Sequence, residues 1–465
     1  MNKKRAKFDQ LWIRVFTAAF LLIFTLVAGC SGQAILDTVF PSGSTSEGTE
    51  MQAENTAEVN DGASTDETET PAISATEQPT AEVGDFTIAQ SEILVWVPEE
   101  FTTLEESEAS LLLQQQIDDF ERENPGIVVN VRVKSSSGTS GILNSLKNTK
   151  TAAPSALPQV ILLTQADMES AAEQQLILPV EEYSHEINPA IYYSYAHEIS
   201  NSNGVIYGFP FVGDALVGIA TEDIANVNFA SWDDLRAERT LLYFAANYPQ
   251  ARLFISQYLS AGGSMVDEQG TTTFSDEILL QVLEEFNLNV GSSIFSNSFN
   301  TLNTGDDVWA IMQAGETEWV INWASKALQS DSVGYQIFQI PSLGTEAYAS
   351  ATGWVWSVVN TESEIAEIVP MFIEYLSEPQ FLAEYSQAIG YLPVMPDSLA
   401  LYEDDGSLNQ LSNILISAHT FPENDLILEL GPIFRDATLM VLNQQNTLEE
   451  IVETARNQLE ALQTK

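Results

Sequence analysis

The chain has 465 residues, and its 17 Lys+Arg set against 66 Asp+Glu give a formal net charge of −49. A surface that acidic repels phosphate backbones and anionic lipid, which excludes nucleic-acid binding and charge-driven membrane adhesion. The length suffices for two lobes with separate cores, and the single cysteine, Cys30, excludes an intrachain disulfide or a cysteine metal site.

Residues 1–30 read as an export signal. Lys3, Lys4, Arg5, Lys7 and Arg14 make a basic start, residues 11–28 are mostly apolar, and Val27-Ala28-Gly29-Cys30 closes the segment. The closing residues resemble a bacterial lipobox, which implies cleavage before Cys30 and lipid on its thiol; the alternative is an uncleaved membrane anchor. Either reading places the remainder outside the cytoplasmic membrane. Residues 31–90 are rich in Ser, Thr, Glu, Ala and Pro, with no Lys or Arg between Arg14 and Arg122. Such a segment buries too little apolar surface to offset its ordering entropy, and it reads as a disordered acidic tether.

The folded part begins with a buried strand at 93–97 (ILVWV). A helix follows over 105–124, with Leu111, Leu112 and Phe120 on a partly apolar face and Asn124-Pro125-Gly126 as its stop. Residues 127–133 form a second strand, 143–157 a looser segment, 159–163 (QVILL) a third strand, and 167–175 a helix. That alternation predicts an α/β fold with a parallel sheet and helices on both faces.

Residues 204–220, GVIYGFPFVGDALVGIA, hold the rest together. A short apolar run at 205–207 is broken by Gly208 and Pro210, and a strand resumes at 215–220. Two strands joined through such a break suit a crossing between two lobes; an ordinary turn within one sheet is the alternative. Beyond it, Ser231 N-caps a helix, 241–245 is a strand, and 252–261 is a helix ended by Gly262-Gly263. Ser275 caps a helix to 287, 307–313 is helical up to Gly315, and the strand 319–322 leads to Trp323. Strands follow at 335–340 and, after Gly353, at 354–359. Thr361 and Glu364 have capping-box spacing before a helix to 376, and Ser377 starts the next. Gly390-Tyr391-Leu392-Pro393 is a last interruption, and Thr447 with Glu450 is again a capping box. Leu448, Ile451, Val452, Ala455, Leu459 and Leu462 form the stripe behind it.

Seven of these features, in this order, resemble the bacterial extracellular solute-binding proteins of ABC importers, in the branch of the maltose-binding protein. They are GVIYGFP, SWDDL, LFISQYLSAGG, QAGETEWVINW, TGWVWSVV, GYLPV and NTLEEIVETARNQLEAL, and the resemblance covers 91–465. It implies a two-lobed, type II periplasmic-binding-protein fold with three interlobe crossings. The N-terminal lobe would comprise 91–208 and 340–390, the C-terminal lobe 209–339 and 391–465. Where the family usually has an aspartate after the proline that opens the third strand, Pro158 is followed by Gln159.

Catalysis finds no footing. His185, His197 and His419 are scattered, and no metal spacing, nucleophile elbow or phosphate loop occurs. The chain is therefore expected not to be an enzyme, with no metal and no cofactor. A pyranose asks for an aromatic plane against its apolar face and for acceptors around its hydroxyl rim. The resemblance puts Trp323 at the family's stacking position and matches Asp214 and Asp167 to acidic sugar ligands. Trp354 follows Gly353 at a place of easy backbone approach, Glu99 and Glu100 follow the first strand, and Arg252 could neutralise a ligand carboxylate. Trp232, Trp309, Trp319 and Trp356 are expected in the core. The implied role is capture of a mono- or oligosaccharide by a monomer through lobe closure, with delivery to the transmembrane subunits of a permease. The alternatives are a polyamine, peptide or other solute as cargo, a ligand sensor, or a secreted glycoside hydrolase.

Overall fold

The computed structural model describes residues 91–102, 107–182, 188–221, 229–330, 334–359, 367–403 and 407–464. The chain divides into two units, Met1–Val83 and Gly84–Lys465, and everything described belongs to the second. The signal, Cys30 and the tether lie outside the described residues, as do His185 and the Thr361/Glu364 pair.

Strand β1 (Ser91–Pro98) is paired in parallel on one side with β2 (Ile127–Lys134) and on the other with β3 (Val160–Thr164). The predicted parallel grammar is therefore present. Gln159 has a structural task, its side-chain carbonyl accepting from Leu94 N at 2.8 Å and tying the start of β3 to β1. The helix Glu108–Glu123 begins at Ser107, whose hydroxyl accepts from Ser110 N. Its buried face is Leu113, Ile117 and Phe120, whereas Leu111, expected inside, is 61% exposed. Two residues from Leu113, Leu111 is turned roughly 200° around the axis. The segment read as loose is mostly the helix Ile142–Ala152.

Strands β4 (Asn201–Ser202) and β5 (Val205–Ile206) form a hairpin whose turn residues, Asn203 and Gly204, have φ of 53° and 81°. That is the Asn-Gly pairing a two-residue turn needs, since both positions are left-handed. The predicted break is present at Tyr207-Gly208, after β5, but it is shorter than expected and the strand resumes at Phe209 rather than at 215. From there β6 (Phe209–Thr221) runs unbroken for 13 residues, twelve of them buried. Proline is tolerated because the register against β9 (Ala349–Val358) shifts between Pro210 and Val212.

The first half of β6 pairs antiparallel with β9, and its second half with β7 (Trp319–Trp323) and β8 (Tyr335–Phe338). The strand order is β2-β1-β3-β9-β6-β7, with β8 on β6 and β10 (Ala418–Thr420) on β9. The result is a mixed α/β fold on a curled sheet in which one strand serves two groups of neighbours. β9 starts five residues before the predicted strand, so Trp354 lies mid-strand, opposite Thr164 and Val212. Gly353 is demanded by that pairing, since a Cβ there would stand 2.5 Å from Val212 O.

The predicted strand at 241–245 shrinks to one bridge, Tyr243 to Val320. Helices Arg252–Ser260, Asp276–Gly291 and Asn424–Asn443 meet through Phe254, Phe286 and Phe434, with ring centroids 5.2 and 5.4 Å apart. The Thr447/Glu450 capping box is formed, and Ile451, Ala455 and Leu459 are buried behind it while Leu462 is exposed. Ser377 caps nothing; its hydroxyl donates to Ile373 O, and Glu378 precedes the helix Pro379–Ile389. Gly390 ends that helix at φ 71°, after which Leu392 exchanges two 2.8 Å backbone bonds with Gly213 of β6.

Candidate functional site

The site grows from the end of β7. Trp323 is the last residue of that strand and is half-buried. The guanidinium of Arg252 lies over its ring, 4.5 Å from the centroid, and Phe421 meets it at 66° with centroids 5.9 Å apart. Arg252 also faces Tyr248 at 5.3 Å and Phe421 at 5.8 Å. Its Nε and Nη2 donate to Gln250 Oε1 at 3.0 and 2.7 Å. Burial lowers the pKa of Arg252, and Tyr248 and Asp214 oppose that shift.

Local backbone sets this up. Arg252 is the first residue of its helix, and Ala251 before it holds φ 45° and ψ 41°, a conformation rare outside glycine. Gln250 is pressed against Gly431 of the long helix, where a Cβ would stand 2.6 Å from Pro249 O. A missing side chain on one helix therefore seats the loop that aims Arg252.

Two cavities meet at the Arg252–Trp323 stack. The smaller, about 70 Å³, is lined by Gln165, Glu169, Gln250, Thr352, Phe421 and Asn424 among others. The larger, about 350 Å³, is lined by Tyr248, Thr304, Gly305, Asp306, Asn322 and Lys326 among others. Both share Arg252 and Trp323. The carboxylates here are already engaged. Glu169 accepts from Gln165 Nε2 at 2.9 Å and from Asn424 N at 3.0 Å, and burial raises its pKa. Asp306 is paired with Lys326 at 2.5 Å.

Asp214 lies behind this wall rather than on it. It is 7% exposed, and its carboxylate accepts from Ser325 Oγ at 2.5 Å, Ser325 N at 3.1 Å and Ala215 N at 2.9 Å. Burial pushes its pKa up to about 6, against the pull of those bonds and of Arg252. Asp167 occupies the first turn of the helix Gln165–Glu173, its N–H on Thr164 Oγ1 at 3.1 Å. Gln165, Ala166 and Glu169 of that helix line the small cavity and Asp167 does not. Burial raises the Asp167 pKa.

Glu99 and Glu100 follow β1 on a short 3-10 turn and line a separate cavity of about 340 Å³ with Gln329, Tyr385 and Tyr391. The Ser136 hydroxyl donates to Glu100. Trp354 belongs with this second group. Its ring meets Phe101 edge-on at 4.9 Å, and its indole N–H bonds the Tyr391 hydroxyl. Phe101 and Tyr391 are stacked, 8° from parallel. The predicted residues thus separate into Trp323 with Arg252, Asp214 behind them, and Glu99, Glu100 and Trp354 around Tyr391. Gln165, Glu169, Tyr248, Gln250, Phe421 and Asn424 carried no signal in the sequence, being polar or aromatic residues without a motif. Among the described residues, no cluster of His, Cys, Asp or Glu is arranged to hold a metal, and no helix is long and apolar enough to cross a membrane.

A mixed α/β fold on a curled sheet, with cavities walled by aromatic and polar side chains, is a setting for small-molecule binding. The family model described as bacterial extracellular solute-binding protein matches residues 115–410, and the chain belongs to that family. No curated protein matches it by sequence. Among solved structures it is similar to the cyclic alpha-maltosyl-1,6-maltose binding protein from Arthrobacter globiformis, with TM-score 0.65, 14% identity, and 80% of this chain and 98% of that one covered. The sugar-binding protein MalE from Xanthomonas citri gives TM-score 0.63 and 17% identity over 80% of this chain and 98% of its own. The GacH receptor of Streptomyces glaucescens, solved unliganded and with acarbose, gives TM-score 0.58 and 17% identity over 80% and 99%.

Proposed function

We propose that this chain is the substrate-binding lipoprotein of an ABC importer, capturing a carbohydrate between its lobes and passing it to a membrane permease. The observation that carries this reading is the half-buried Trp323 at the end of β7, set where two cavities meet. An indole plane ringed by amide and hydroxyl groups, here Gln165, Gln250, Asn322 and Thr304, suits the apolar face and hydroxyl rim of a sugar. The similar solved proteins are a cyclic maltosyl-maltose binding protein, a sugar-binding protein and a receptor solved with acarbose, which favours the same class of cargo.

In this reading the lobes are 91–208 with 340–390 and 209–339 with 391–465, and the chain passes between them three times, first through β6. Trp323 and Arg252 meet the ligand from one side of the cleft, with Asp214 supporting them from behind, and the helix Gln165–Glu173 meets it from the other. Ligand contacts made from both sides exist only in the closed form, so ligand shifts the population toward it. Lipid on Cys30 and the acidic tether hold the protein near its permease and raise the effective concentration there.

The test is thermal unfolding of the full-length chain with neutral mono- and oligosaccharides, polyamines and short peptides, because a ligand of the native state raises the melting temperature. A carbohydrate is expected to give the shift. Shifts from polyamines or peptides alone would remove sugar as the cargo while leaving the family unchanged.

A further inference from the structure

Resting on the carbohydrate reading, we infer that the cargo is an anionic saccharide, a sugar bearing a carboxylate, and that Arg252 is the residue that selects it. The charges around the site show why. Asp306 has Lys326, Glu169 has Gln165 and the Asn424 N–H, and Asp214 has Ser325 and Ala215 N–H. Arg252 has no carboxylate within ion-pair distance among the described residues, in a chain whose acidic groups outnumber its basic ones by 66 to 17. Its partners are neutral: the amide oxygen Gln250 Oε1, the Tyr248 hydroxyl, and the faces of three aromatic rings.

A half-buried guanidinium that gives up part of its hydration with no anion in return is a costly way to fill space. A planar fork matches a carboxylate with two parallel N–H···O bonds, and such bonds strengthen where water is excluded. The position adds a second argument. The guanidinium covers one face of Trp323, the residue best placed to stack on a pyranose. A neutral sugar reaching for that face must displace a cation and leave it with nothing. A uronate offers the displaced guanidinium a better partner than the ring it gives up, so one ligand frees the indole and neutralises the charge. The three carboxylates nearby are held by their own donors, and none is free to take that part.

The experiment is calorimetric titration of the full-length chain with di- and trisaccharides of galacturonate, glucuronate and mannuronate. Each is compared with its methyl ester, which keeps the shape and removes the charge. At least one acid is expected to bind tenfold or more tightly than its ester, with an affinity that falls as salt rises. In Arg252→Gln the acid should lose its advantage over the ester, the acid-to-ester affinity ratio falling to about one. Arg252→Lys, which keeps the charge and loses the fork, should fall between. Folding of each variant is checked by its unfolding curve, and the acid-to-ester ratio of the unmutated protein decides the matter without any variant. Esters or neutral sugars binding as tightly as the acids would overturn this inference and leave the carbohydrate reading intact. Failure of every saccharide, with binding of a polyamine or peptide, would overturn both.

Discussion

Trp323 and Trp354 are the same residue in opposite settings. Both are half-buried on strands of one curled sheet. Trp354 has its N–H bonded to Tyr391 and its ring against Phe101, so its polar and apolar parts are satisfied by the protein itself. Trp323 has a cation on its face and lines two cavities. An aromatic side chain whose partners are all internal serves packing, whereas one held open by a removable partner is available to something else. Neighbours decide the difference, and strand position does not.

Replacing each tryptophan with alanine breaks the comparison most strongly. Trp323→Ala should reduce ligand affinity by at least fiftyfold, measured by calorimetry, because it removes both the stacking plane and the support of Arg252. Its effect on unfolding should be the smaller one. Trp354→Ala should do the reverse, costing about 3 kcal/mol of stability in a denaturant titration, at the low end for a truncated buried aromatic. Equal affinity losses from the two would mean that the cavities by Trp323 and by Glu99 form one binding surface.

What the sequence disclosed follows the same division. Strands β1, β2, β3, β7 and β8 were legible because each is a short apolar run bounded by turn residues. Only the second half of β6 was legible, because Gly208 and Pro210 read as punctuation, and only the partner strand shows that the register shift between Pro210 and Val212 absorbs the proline. The start of β9 was hidden by the small residues Ala349, Ser350 and Ala351. At the site, Trp323 and Arg252 could be named from the sequence, but their stacking depends on Ala251 at φ 45° and on Gly431 seating the preceding loop. Asp214 could be named too, yet its burial depends on Ser325, 111 positions away in the chain.

Asp214 supplies the next effect. Its pKa is pushed from an ordinary 3.8 to about 6 by burial. Below about pH 4 it is protonated in both folded and unfolded chains. Between about 4 and 6 the folded form holds more proton, so stability falls as pH rises through that window and is level above it. The loss amounts to about 2–3 kcal/mol. Burial raises Glu169 and Asp167 as well, so the slope of the unmutated protein is a sum of like signs. The difference between it and Asp214→Asn, followed by unfolding from pH 4 to 7, isolates this residue. Identical slopes would mean that Asp214 titrates normally and is hydrated.

Ser325→Ala sharpens the point at lower amplitude. It removes the hydroxyl that donates to Asp214 Oδ2 at 2.5 Å and leaves the backbone bonds. A loss of about 1–2 kcal/mol at pH 7 is expected. The upper end of the pH window should move further above 6, since the charged carboxylate loses a donor.

The smallest effect compares the helices that begin beside the two cavities. Thr304 caps the helix Gly305–Gln313 through a reciprocal box, its hydroxyl taking Asp307 N at 3.1 Å while Asp307 Oδ2 takes Thr304 N at 3.0 Å. Thr304, Gly305 and Asp306 line the cavity on the Trp323 side. Ser107 caps the helix Glu108–Glu123 by accepting from Ser110 N at 3.2 Å, and it lines the cavity of Glu99 and Glu100. Alanine at either position should cost about 1 kcal/mol of stability, because each removes one acceptor from a helix start. Only the Thr304 change should weaken ligand binding, by two- to threefold, since fraying there loosens the Asp306–Lys326 pair at the cavity wall. Equal stability costs with unequal affinity costs would locate the working cavity at β7. The same loss of affinity from Ser107→Ala would place ligand against Glu99 and Glu100 as well.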